Sequence, residues 1–99
     1  MLDKLREMTI NMIQFDNLNY VLNEKLNCVV DYEDENYTIK NELLDITVWG
    51  DTREEVETAF AFSFHVLYEN FAKEEDVRLS SESKLLKNKL LKIVKTVTV

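Results

Sequence analysis

Apolar and polar residues alternate along much of the first half of the chain, which predicts a series of strands. The candidate strands are residues 8–15, 20–22, 27–32, 37–40 and 45–49. In the first of them, the alternation places Met8, Ile10 and Met12 on one face of the strand. Ile13 then belongs to the opposite face. Because the strands follow one another closely, the economical topology is an antiparallel meander.

Two positions between the strands carry strong local signals. Residues 33–36 (EDEN) are polar and join two segments of β-branched and aromatic residues, which predicts a β-hairpin with an acidic tip. Gly50 is the only glycine and follows the last of these strands. We expect it to mark a backbone position where a side chain would not be tolerated.

The hydrophobic period changes to that of a helix after the strands. Thr52 and Glu55 have the spacing of a capping box, so we expect a helix over residues 52–73. Its apolar positions keep helical spacing and could lay one face on the sheet. They are Val56, Ala59, Phe60, Phe64, Leu67 and Phe71. Phe62 and Val66 widen this stripe, and either the last helix or another subunit covers them, which makes them candidates for an oligomer interface.

A second helix is predicted over residues 80–95, where Ser80 or Ser81 can supply the N-cap. The last four residues are β-prone, and the helix gives way there to a short strand or a frayed end. The combined prediction is an α+β fold, with an antiparallel three- to four-stranded β-meander packed by one long helix and a second C-terminal helix. We expect one domain over residues 1–99, with an N-terminal strand or extension over 1–25 and a β-β-β-α core over 26–73.

Charge is unevenly distributed along the chain. There are 19 acidic and 12 basic side chains, which gives a formal net charge of −7. This sign is wrong for a protein that neutralises nucleic-acid phosphates, and it favours a basic partner. Residues 84–99 differ, because they hold five lysines and no acid. These lysines either suit the dipole and the outer face of the last helix or form a contact surface for an acidic partner or nucleic acid.

Few residues are suited to catalysis or metal binding. His65 is the only histidine and Cys28 the only cysteine, which leaves too few ligands for the common zinc sites. We interpret His65 as a structural residue of the helix and Cys28 as a small core residue. A single glycine excludes the glycine-rich phosphate loops of nucleotide-binding proteins. We therefore expect no enzyme, no catalytic residue, no metal and no cofactor.

The hairpin and one strand aromatic are the candidates for partner binding. Asp31, Glu33, Asp34 and Glu35 crowd the hairpin, where the lack of a glycine and of a 12-residue ligand pattern argues against a calcium site. An acidic knob that binds a partner, or a solvated tip, is the better interpretation. Trp49 could anchor a partner from a sheet face that the helix leaves uncovered, because aromatic residues carry much of the energy of interfaces.

The beginning of the chain has charged residues within every apolar run. It therefore contains neither the apolar stretch of a signal peptide nor a membrane span. A single cysteine also fits a reducing compartment. We expect a cytoplasmic protein that does not contact a membrane.

Residues 42–71 resemble the HicB-like antitoxin family. Its recurring pattern is a short strand and then Gly-Asp-Thr-x-Glu-Glu-Ala, which opens a helix, and residues 50–56 (GDTREEV) match it except for valine in place of alanine. The hairpin over residues 27–40 is similar to the first two strands of that family. The resemblance implies an antitoxin that binds a small basic toxin, usually an mRNA-cleaving enzyme, and covers its active surface.

The sequence supports three functional hypotheses, in this order. The first is a non-enzymatic, antitoxin-like module that neutralises a small basic toxin. The second is an inhibitor or DNA mimic from a phage or mobile element, whose acidic surface would occupy the phosphate-binding groove of a nuclease. The third is a structural domain that forms a homodimer through Phe62 and Val66.

Overall fold

The computed structural model describes residues 6–99, which form an antiparallel sheet with helices on one side. The strands are β1 (Arg6–Phe15), β2 (Leu18–Glu33), β3 (Asn36–Asn41), β4 (Ile46–Gly50) and β5 (Val94–Thr98). The helices are α1 (Arg53–Leu67) and α2 (Ser81–Ile93), and between them lie a π-helical turn (Tyr68–Ala72) and a 3₁₀ turn (Asp76–Arg78). The first five residues of the expected N-terminal extension lie outside the described residues.

The meander runs β1-β2-β3-β4 in spatial order, and every neighbouring pair is antiparallel. β5 pairs antiparallel with the first half of β2, and β3 pairs with its second half. The predicted α+β fold is thus confirmed: a meander packed by one long helix, with a second helix near the C-terminus.

The boundaries of several elements differ from the prediction. Residues 20–22 and 27–32 belong to one 16-residue strand rather than to two, because β1 pairs along nearly the whole of β2. The long helix ends its α-helical part at Leu67 and continues as the π-helical turn. The second helix ends at Ile93, since the β-branched residues after it form β5.

In the first half of β1 the even-numbered residues face the core, and in the second half the odd-numbered residues do. The ladder with β2 is regular up to Ile10 and again from Met12, with an irregularity between them. As a result Ile13 is buried, at 4% exposure, whereas Met12 is 51% exposed. The prediction that Met12 shares a face with Met8 and Ile10 is therefore wrong, because a strict period of two cannot anticipate a bulge at Asn11.

The core lies between the sheet and the two helices. Its largest fully buried side chains come from both layers: Tyr20, Leu26, Ile39, Val56, Phe64, Leu90 and Ile93. They come from β2 and β3 and from α1 and α2. The stripe predicted for the long helix supplies three of its buried residues, Val56, Phe60 and Phe64.

The passage from β4 into α1 depends on Gly50 and Thr52. A Cβ atom at Gly50 would lie 2.6 Å from the backbone nitrogen of Val56, so the predicted intolerance of a side chain there is confirmed. The Thr52 hydroxyl accepts a hydrogen bond of 3.1 Å from the backbone N–H of Glu55, as expected for an N-cap. Ser80 caps α2 in the same way, through the N–H of Ser83 at 3.1 Å.

Candidate partner-binding surface

The face of the sheet that points away from the helices is open to solvent at its β3–β4 side. Asp31, Thr38 and Trp49 lie opposite one another on β2, β3 and β4 and so form one row on this face. Trp49 is 65% exposed. With strands about 4.8 Å apart, Asp31 and Trp49 are roughly 10 Å from each other. The structure therefore brings these two predicted residues together on an uncovered face.

The acidic tip of the hairpin adjoins this row. Glu33 pairs with Asn36, two positions beyond Asp31 and on the same face, and Asp34 and Glu35 form the turn between them. Both turn residues have positive φ angles, 54° and 65°, as a two-residue type I′ turn requires. Asp31 is partly buried and the other side chains are exposed, so four predicted carboxylates and one tryptophan share one end of the sheet.

Three further acidic residues lie at this end, and sequence reasoning missed them. Gly50 pairs with Tyr37, so the segment that leads into α1 begins beside the hairpin. Asp51, Glu54 and Glu55 are exposed there. The sequence analysis used Glu55 only as part of a capping box; the register of β3 with β4 shows that the start of α1 lies beside the hairpin.

A pair of tyrosines flanks the same end from the other side of the sheet. The rings of Tyr32 and Tyr37 have centroids 4.6 Å apart, and Tyr32 is 43% exposed. The pair closes the core beyond the first turn of α1 and adds aromatic surface next to the acidic tip. We use the name acidic end for residues 31–37 together with Trp49, Asp51, Glu54 and Glu55.

The predicted oligomer residues are not part of the acidic end. Phe62 is 52% exposed, and its ring packs against that of Phe15 with centroids 5.4 Å apart. Phe62 and Val66 line a shallow groove of about 310 Å³ beside Ile46 and Thr47 of β4. α2 does not cover this groove, since it packs on the π-helical turn and on β2.

Cys28 and His65 have separate structural surroundings. Burial raises the pKa of the Cys28 thiol, whose nearest polar partner is the Asn41 amide at 3.9 Å. Nδ1 of His65 shares a hydrogen bond of 2.7 Å with the hydroxyl of Tyr20, and the imidazole stacks on Phe15. These contacts match the interpretation of both residues as parts of the packing.

Part of the lysine excess in α2 holds the helix in place. Lys87 donates hydrogen bonds to the backbone oxygen of Glu74 at 2.6 Å and to the carboxylate of Asp76 at 2.8 Å, which lowers the pKa of Asp76. Lys89 reaches the backbone oxygen of Leu43 at 3.4 Å. These two lysines thus serve to dock α2 on the rest of the chain.

Residues 6–99 show neither an arrangement of metal ligands nor a membrane-spanning helix. Within that range no group of three or more His, Cys, Asp or Glu side chains is arranged to hold a metal ion. Across the same residues, no helix has the length and apolar character needed to cross a membrane.

The fold and the surface together define a small α+β protein with an uncovered sheet face and an acidic end. Comparison with protein-family models, with curated proteins and with solved structures gave no match to this chain.

Proposed function

We propose that this chain is a non-enzymatic binding module that takes a small basic protein at its acidic end. The observation that carries the proposal is the row of Asp31, Thr38 and Trp49 on an uncovered sheet face, directly beside the acidic hairpin. A large exposed aromatic side chain next to fixed charges is the usual composition of an interface hot spot and its rim.

Charge distribution supports a basic partner. The acidic end contains seven carboxylates, and the only basic residue within its sequence segments, Arg53, is held by Glu57 at 2.8 Å. The five lysines of residues 84–99 belong to a different part of the chain. Such a segregated surface speeds association with a positively charged partner and discriminates against acidic ones.

The resemblance of residues 50–56 to the HicB-like pattern suggests what the partner is. We propose a small basic toxin of the RNase type, neutralised when the acidic end covers its active surface. A nuclease from another system, inhibited by mimicry of the phosphate backbone, is the competing partner and would use the same carboxylates.

The test begins with affinity capture from a native lysate and reconstitution of the captured protein with the recombinant chain. Isothermal titration then compares the wild type with Trp49→Ala and with Glu33→Lys/Asp34→Lys/Glu35→Lys. We expect Trp49→Ala to weaken binding by about 2 kcal/mol or more. The triple variant should slow association in a salt-dependent way.

A matched control carries the same number of charge reversals away from the acidic end: Glu24→Lys/Glu42→Lys/Glu75→Lys. It should leave the affinity nearly unchanged. Equal weakening by both triple variants would show that the affinity depends on net charge alone. This result would contradict the proposed surface. RNase activity of the captured protein that the wild type abolishes would support the toxin, and inhibition of DNA cleavage would support the mimic.

A further inference from the structure

β1 has the longest unpaired edge of the sheet among residues 6–99. Residues 7–15 pair with β2 on one side only, and no backbone hydrogen bond outside that ladder involves them. An open strand edge presents a row of N–H and C=O groups that can pair with another chain.

Along residues 8–15, β1 lacks most of the usual protection of open edges, and the irregularity at Asn11 is the exception. Proteins guard such edges with charged side chains, proline or short length. Residues 8–15 (MTINMIQF) have no charged residue, no proline and no glycine. β4 and β5, in contrast, are five residues long, and β5 carries Lys95. Residues 8–15 therefore bring no like charges of their own together when two copies approach, and Glu54 and Glu57 of α1 line the grooves beside this edge.

Apolar surface lies on both sides of this edge. On the side of the helices, Met8 and Ile10 are half-buried, and with Phe60 and Ala61 they border a groove of about 270 Å³ between β1 and α1. Half of Met12, which pairs with Val21 and also borders this groove, is exposed. A strand added along β1 would cover both patches.

The irregularity at Asn11 makes the whole strand complementary to a copy of itself. A two-fold axis normal to the sheet requires that residues opposite one another point to the same face. An unbroken ten-residue strand paired over its full length violates this condition, because its first and last residues point to opposite faces. Here Met8 and Ile10 face the helices before Asn11, and Ile13 and Phe15 face them after it. Each half of β1 can therefore pair with the other half of its copy.

We propose that a second copy of this chain pairs antiparallel with β1, so that the two sheets join into one. The two-fold axis lies between Ile10 and Asn11. Met8 is opposite Ile13 of the second copy on the side of the helices, and Thr9 is opposite Met12 of the second copy on the open side. The pairing adds about eight to ten backbone hydrogen bonds.

The distribution of charge fits this dimer. Arg6 pairs with Val30, so the acidic end lies beyond the first residue of β1. Antiparallel pairing then places the two acidic ends at opposite ends of the joined sheet, about 30 Å apart. That separation is well beyond the Debye length of about 8 Å at physiological salt. The pairing leaves both acidic ends uncovered. The dimer therefore does not depend on the function proposed for the acidic end.

Two double variants at exposed positions test the pairing and its register. Thr9→Lys/Met12→Lys places lysine opposite lysine twice across the axis, and Thr9→Lys/Met12→Glu places lysine opposite glutamate at the same two places. By sedimentation equilibrium we expect a wild-type dimer, a Kd raised at least about tenfold in the first variant and a dimer close to the wild type in the second. Circular dichroism and thermal unfolding confirm that each variant is folded.

Matched variants address the other ways in which the chain could associate. Thr47→Lys/Trp49→Lys places the same charges on the edge of β4, and Phe62→Lys alters the groove beside α1; neither should change the Kd of the dimer. A wild type that stays monomeric at about 100 µM overturns the proposal. A dimer that survives the double-lysine variant but dissociates in either control also overturns it, as does equal dissociation of the two Thr9/Met12 variants.

Hydrogen exchange on the unaltered chain provides a measurement without any substitution. The amides of residues 9–14 that point away from β2 should exchange more slowly as the protein concentration rises through the range in which the dimer forms. Exchange that is independent of concentration, in a protein that dimerises, would place the interface elsewhere.

Discussion

On the side of the sheet that faces the helices, Ile39 and Tyr20 have no exposed surface and pack in one core with Phe64 of α1. On the other side, Asp31 of β2 and Trp49 of β4 lie in one row across β2, β3 and β4 and reach into solvent. The covered face gains its free energy from burial. The open face keeps a tryptophan that folding does not use, and such a residue is a candidate for recognition. Substitutions on the two faces should therefore separate loss of stability from loss of binding.

The largest separation is expected between Phe64→Ala and Trp49→Ala. Phe64 is fully buried and contacts the ring of Tyr20 edge-on, with centroids 5.3 Å apart, so its truncation should lower the free energy of unfolding by about 3–5 kcal/mol. Trp49→Ala removes a larger but exposed ring and should change it by about 0.5 kcal/mol or less. Urea denaturation followed by circular dichroism measures both. Similar losses would show that Trp49 is part of the core and end the comparison.

A smaller loss is expected at Asn41, the one buried polar residue among residues 6–99. Its amide donates to the backbone oxygen of Asn27 at 3.0 Å, and its side-chain oxygen accepts from the N–H of Leu44 at 2.8 Å. Asn41→Ala leaves both backbone groups without these partners and should cost about 1–3 kcal/mol. Asn36→Ala, in the exposed hairpin, is the matched control and should cost about 0.5 kcal/mol or less.

Tyr20 gives the covered face a dependence on pH. Burial, and then the charge of Glu69, raises the pKa of Tyr20 to about 12, whereas a tyrosine in an unfolded chain has a pKa of about 10. Because the folded pKa is the higher one, the stability that Tyr20 contributes is complete below pH 10 or so and is lost as the pH rises through about 12. The free energy of unfolding should fall more steeply over this window in the wild type than in Tyr20→Phe.

The same substitution removes the hydrogen bond to His65 and should cost about 1 kcal/mol at neutral pH. Tyr32→Phe is the control for the loss of a tyrosine hydroxyl, because its ring is 43% exposed. Urea denaturation at a series of pH values measures all three chains. Parallel pH profiles for the wild type and Tyr20→Phe would contradict the assignment.

The covered face was the more predictable of the two. Helical spacing identified Val56, Phe60 and Phe64. The cap at Thr52 and the close approach at Gly50 could be predicted from single residues. These features are local, since each depends on a period or on one residue's geometry. The irregularity at Asn11 was not predicted, because it arises from how β1 pairs with β2. The extra residues lie on β2, and β1 itself contains no residue that breaks a strand.

The acidic end was predicted only in part, for a related reason. Asp31, Glu33, Asp34 and Glu35 are neighbours along the chain, so the sequence itself groups them. Their proximity to Trp49 depends on the registers of β2 with β3 and of β3 with β4. The proximity of Asp51 to the hairpin depends on the pairing of Tyr37 with Gly50. A surface assembled across strands needs pairing information that composition and spacing do not contain.

The smallest expected effect has the opposite sign and lies in the hairpin turn. Glu35 has a φ angle of 65°, a conformation that glycine adopts without steric cost and that other residues adopt with strain. Glu35→Gly should therefore raise the free energy of unfolding by about 0.5–1 kcal/mol. Glu35→Gln removes the same charge but keeps the strain, so it should leave stability nearly unchanged. Thermal unfolding of the two variants separates strain from charge.

Binding to a basic partner should weaken to a similar extent in Glu35→Gly and Glu35→Gln, because both lack the carboxylate. A gain in stability combined with a loss of affinity would mean that the acidic turn is kept at the expense of folding, as expected of a surface used for recognition. If the glycine variant is no more stable than the glutamine variant, the turn stores no strain. The case for the acidic end would then rest on Trp49 and the charges alone.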